Sequence, residues 1–67
     1  MSIVKIIEVI ATSNESFDDA VRNALKEASK SVKNIESVYV KEMHANVEGS
    51  EIKNFAVNAK ISFRKES

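Results

Sequence analysis

Few side chains in this sequence could carry chemistry. There is no cysteine, so neither a thiolate nucleophile nor a thiolate metal site can form, and His44 is the single histidine. One glycine, Gly49, cannot build a Gly-rich phosphate loop. Asp18 and Asp19 are consecutive, and on a helix they would point about 100° apart, which rules out an acid–base pair. His44 could serve a serine as a base, yet no recognisable motif surrounds it. The inventory therefore points to a binding or structural protein and not to an enzyme. Three polar or aromatic residues close to His44, namely Ser37, Tyr39 and Glu42, lie in the same segment and are the remaining candidates.

The elements that must position these residues can be read from periodicity. Ile3 to Ala11 is β-branched and apolar with Lys5 and Glu8 interspersed, and it stops at the polar run Thr12-Ser13-Asn14-Glu15-Ser16, so it reads as a strand and a loop. Phe17, Ala20, Val21, Ala24, Leu25, Ala28 and Val32 recur at spacings of three and four, which predicts a helix with one apolar stripe. Ser16 and Asp19 fit a capping box in which hydroxyl and carboxylate each accept an orphaned backbone N–H. Asp18 and Asp19 face the positive end of the helix dipole, and Lys30 and Lys33 lie near the negative end.

After Asn34 the period becomes two. A strand is expected from about Ile35 to Val47, with Val38 and Val40 on one side and Ser37, Tyr39, Lys41 and Met43 on the other. Glu48-Gly49-Ser50 reads as a hairpin turn. In the last segment Phe55, Val57, Ala59, Ile61 and Phe63 alternate with Asn54, Ala56, Asn58, Lys60, Ser62 and Arg64, the pattern of a half-buried strand. The resulting α+β class is a βαββ unit, one domain over 1–67. Its three-stranded antiparallel sheet has order 2-3-1 and wraps on one helix. One helix covers one sheet face, and the other face is left for other subunits or a cavity.

Composition makes self-association the expected means of stabilisation. The chain has 67 residues, and a domain of this size buries only about 60% of the surface its unfolded chain exposes. Disulfides and a multi-histidine site are excluded, so oligomerisation remains. In an oligomer, copies of Glu42 could meet at a symmetry axis and hold a divalent cation through carboxylate oxygens. Ten Lys+Arg balance ten Asp+Glu, and no basic run appears, which argues against a nucleic-acid partner. The apolar stretch Ile6 to Ala11 is interrupted by Glu8 and lacks a basic leader, so no membrane span or secretory signal is expected and the cytoplasm is the expected compartment.

Several stretches carry a resemblance. The opening Val4-Lys5-Ile6-Ile7-Glu8-Val9-Ile10-Ala11-Thr12-Ser13, the helix start Ser16-Phe17-Asp18-Asp19-Ala20, Val38-Tyr39-Val40-Lys41-Glu42 and the closing Val57-Asn58-Ala59-Lys60-Ile61-Ser62-Phe63 resemble the dodecin family over nearly the whole chain. The resemblance implies a βαββ protomer in a hollow homododecamer that holds flavin in pairs at subunit interfaces, storing and quenching it. It places Ser37 where flavin-binding members carry a stacking tryptophan, and Ala56 where they carry a glutamine that bonds the pyrimidine edge. His44 falls where many members have an arginine that contacts a ligand phosphate, and Tyr39 is a further candidate on the same face as Ser37. These departures predict a flavin-type storage protein with weakened or lost flavin binding, open to another small planar ligand. The alternative is a structural or divalent-metal-binding dodecamer that uses Glu42.

Overall fold

The computed structural model describes residues 2–66. The elements are β1 (Ser2–Ser13), α1 (Phe17–Ser29), β2 (Ile35–Glu48) and β3 (Glu51–Glu66). β3 lies between the other two and is antiparallel to both, so the sheet order is the expected 2-3-1 arrangement. The central strand is the one with the cleanest alternation, as its position demands: one face is buried and a one-residue slip would invert every side chain.

The core sits between α1 and that face. Val57, Ala59 and Ile61 are fully buried from the sheet side, and Ala20, Ala24 and Ala28 are buried from the helix side. Alanine at every fourth position has no side chain beyond Cβ to hold the helix away, so the backbone approaches the sheet closely. The buried stripe is narrower than the spacing predicts, because Leu25 stands at its margin, 39% exposed. Phe17 extends the core at the helix start, meeting Phe55 edge to face with ring centroids 5.0 Å apart.

The helix begins as its cap predicts, with one difference. Ser16 Oγ accepts from the Asp19 N–H at 2.9 Å, but the Asp19 carboxylate accepts from Ser13 Oγ at 2.6 Å and not from the Ser16 N–H. Ser13 Oγ also accepts from the Glu15 N–H at 2.8 Å. Buried Ser13 thereby joins the end of β1 to the helix N-terminus. At the other end α1 stops at Ser29, earlier than Val32, because the chain tightens: the Ser31 and Val32 N–H groups both donate to the Ala28 carbonyl at 3.0 Å. Asn34, at φ 62°, reverses the chain in the left-handed region that asparagine tolerates.

β2 departs from strict alternation. A register shift between Val40 and Glu42 leaves Lys41 as an extra residue, a β-bulge. Met43 consequently pairs with Val57 and lies on the helix side, not with Ser37 and Tyr39 as a period of two requires. The two-residue turn Gly49-Ser50 closes the hairpin, with Gly49 at φ 66°. Since β1 ends opposite Phe55, the hairpin tip projects beyond it, and the chain is 52 Å long.

Candidate functional site

The sheet face away from α1 gathers the candidate residues. Cross-strand partners share a face, so Ser37 (opposite Ser62), Tyr39 (opposite Lys60), Glu42 (opposite Asn58) and His44 (opposite Ala56) all belong to this open face. The bulge makes this possible. It restores Glu42 and His44 to the side of Ser37 and Tyr39. β1 contributes Val4, Ile6, Glu8, Ile10 and Thr12 to the same face.

This face is apolar along one edge and polar along the other. Ile6 and Ile10 are 62% and 74% exposed, and Tyr39 is 65% exposed. A row of exposed β-branched residues on one strand marks a surface suited to burial against another molecule. Ser37 and Ser62 join their hydroxyls across the strands. Lys41 Nζ reaches over the central strand to Glu8 at 3.8 Å. Arg64 pairs with Glu36 at 2.7 Å, and that hydrogen bond together with the carboxylate's attraction raises the guanidinium pKa above its ordinary value. Asn58 Oδ1 is buried on this face without a hydrogen-bond partner.

The register separates the positions that the sequence suggested as one site. Ala56 lies on β3 between Thr12 and His44, and these neighbours cover it to 2% exposure although it faces away from the helix. Ser62, the partner of Ser37, is six residues further along β3, so Ser37 and Ala56 are about 20 Å apart at strand rise. That is longer than a three-ring system spans. One chain therefore cannot stack a planar ligand on residue 37 and bond its edge with residue 56. Among the described residues no group of three His, Cys, Asp or Glu side chains could hold a metal ion, so a cation at Glu42 would need several copies of the chain. No helix among them is long and apolar enough to cross a membrane.

The chain is a βαββ unit with one helix-covered sheet face and one open, partly apolar face. A sequence profile of the Dodecin family matches residues 3–66, and the chain belongs to that family. Its fold is similar to that of dodecin from Streptomyces coelicolor, at 29% identity and TM-score 0.92, covering 98% of this chain and 94% of that one. Dodecin from Streptomyces davaonensis is 26% identical with TM-score 0.92, covering 98% and 97%. An arginine-to-alanine mutant of the Thermus thermophilus dodecin is 27% identical with TM-score 0.93, covering 100% of both chains. No curated protein matches the sequence significantly.

Proposed function

We propose that the protein is a non-enzymatic, dodecamer-forming storage protein for a flavin-type or other small planar ligand, with flavin affinity reduced by Ser37 and Ala56. The observation that carries this reading is the open face. Its exposed Val4, Ile6, Ile10 and Tyr39 offer apolar area that a second copy would bury. The 20 Å separation of Ser37 and Ala56 makes a complete pocket an intersubunit property, with residue 37 of one copy beside residue 56 of another.

The reduction in affinity follows from side-chain chemistry. Serine presents no π face, and its hydroxyl is already committed to Ser62. Alanine offers no hydrogen bond to a pyrimidine edge. Each deficit is worth on the order of 1 kcal/mol or more. Exposed His44, opposite Ala56, supplies a phosphate contact. Light scattering of the purified chain should give a dodecamer. Riboflavin fluorescence quenching should give a dissociation constant no tighter than about 10–100 micromolar. A stable monomer, or submicromolar binding, would refute the corresponding half of the reading.

A further inference from the structure

The centre of the open face carries charges that burial would not tolerate unpaired. Glu8 on β1 lies opposite Lys60 on β3, and Glu42 on β2 lies opposite Asn58. A regular strand sends consecutive residues to opposite faces. The bulge instead brings Lys41 and Glu42 to the same one, with the Lys41 side chain reaching across β3 toward Glu8. Two cations and two anions are thereby set into an apolar surface, where exposed Ile6 and Ile10 flank Glu8 and exposed Tyr39 lies opposite Lys60. Whatever covers this face must partner those four charges, because a charge buried without one is strongly unfavourable.

The one ion pair among the four is loose. Lys41 Nζ stands 3.8 Å from Glu8 Oε2, beyond hydrogen-bond distance, and both side chains are nearly half exposed. The Arg64 guanidinium, by contrast, donates to the Glu36 carboxylate at 2.7 and 3.3 Å and is committed to it. Among the described residues Lys60 and Glu42 form no ion pair. Lys41 and Glu8 therefore have the reach and the freedom to exchange partners. An isologous contact sets a patch against the same patch reversed, so it closes without unpaired charge only where the patch carries its own complement. Glu8 and Glu42 against Lys41 and Lys60 meet that condition, with two groups of each sign. A wholly apolar occupant, or one with charges of a single sign, does not.

We infer that Glu8 and Lys41 are the self-recognition pair of the open face: a second copy seated across a two-fold axis takes Lys41 of each chain onto Glu8 of the other, and Lys60 and Glu42 complete the match. The inference rests on the proposed burial of this face by another copy and adds which residues decide that the occupant is a copy. Charge exchange between two variants of the full chain tests it. Glu8→Lys and Lys41→Glu each set like charges against one another in a self-contact. Each should raise the chain concentration at half assembly at least about tenfold, by light scattering at about 50 mM salt. Mixed together, the two variants should assemble within about threefold of the parent, because the lysines of one chain now face the glutamates of the other. Native mass spectrometry should find both chains in each assembly.

Glu27→Lys and Lys30→Glu make the same changes of net charge at an exposed pair on the helix, and each should assemble like the parent. Glu8→Gln and Lys41→Gln introduce no repulsion and should weaken assembly about threefold or more. They keep the test valid if a charge reversal disturbs β1 or β2, which circular dichroism reports. A mixture that stays dissociated while the double variant Glu8→Lys with Lys41→Glu assembles would place the pair within one chain and overturn the exchange. Glu8 and Lys41 variants that assemble like the parent, or Glu27 and Lys30 variants impaired to the same degree, overturn the recognition role while the burial of the face stands. A parent that stays monomeric overturns that burial itself, and this inference falls with it.

Discussion

Restoring an aromatic plane at residue 37 gives the sharpest test of the open face. Ser37→Trp removes one exposed hydrogen bond, that between the Ser37 and Ser62 hydroxyls, whose loss costs about a few tenths of a kcal/mol because water can take the place of the lost partner. The indole then offers about 0.5–1.5 kcal/mol of stacking beyond the apolar area it buries, so riboflavin binding should tighten by about 1.5–2 kcal/mol, or roughly ten- to thirtyfold. Ala56→Gln adds less. Ala56 is covered by its neighbours, and inserting a longer side chain there costs about 1–3 kcal/mol of repacking, which offsets most of the one hydrogen bond gained. Fluorescence quenching titration of parent, single and double variants measures all three. A Ser37→Trp variant that binds no better than the parent would show that residue 37 does not face a planar ligand, and the intersubunit pocket would be lost with it.

Stability offers further tests. Ile61→Ala, at a fully buried position beneath α1, should lower the unfolding free energy by about 2–5 kcal/mol in urea titration, and a cost below about 1 kcal/mol would remove that face from the core. Ser13→Ala breaks the link from β1 to the helix cap and should cost about 1–3 kcal/mol. Ala24→Leu should destabilise by about 1–3 kcal/mol in the same assay, since the helix sits close to the sheet only because its buried positions are small; a neutral result would mean that the helix lifts freely.

What was legible in the sequence depended on whether local pattern or long-range pairing decided it. β3 could be read residue by residue, because the central strand of a half-covered sheet has no freedom in its alternation. The helix start could be read from Ser16, but not the role of the Asp19 carboxylate, which is taken by a hydroxyl six residues earlier. The faces of β2 could be read only from Ser37 to Val40, since a register shift between Ile35 and Ser37 already breaks the alternation at its start. Beyond that point the bulge at Lys41 decides, and a bulge is a response of the backbone to its partner strand with no signature in composition. The 20 Å between Ser37 and Ala56 is likewise a consequence of register and was invisible to periodicity.

The bulge also makes an unusual prediction about deletion. Removing one residue from a strand normally sends every later side chain to the wrong face, which destroys a half-buried sheet. In β2 the extra residue is already accommodated. Val40 pairs with Ala59 and Glu42 with Asn58, so deleting Lys41 joins two residues whose partners are themselves adjacent, and Met43 stays on the helix side while His44 stays on the open one. The loss is one exposed ion pair to Glu8, worth at most about 1 kcal/mol, and the local twist that the bulge imposes. Deleting Asn58 from β3 is the contrasting case: no bulge absorbs it, and the shift would carry one flank of the Val57, Ala59 and Ile61 row off the core. Circular dichroism and urea unfolding should find the Lys41 deletion folded, within about 2 kcal/mol of the parent, and the Asn58 deletion unfolded. If both unfold alike, β2 follows strict alternation after all, and His44 and Glu42 do not share a face with Ser37 and Tyr39.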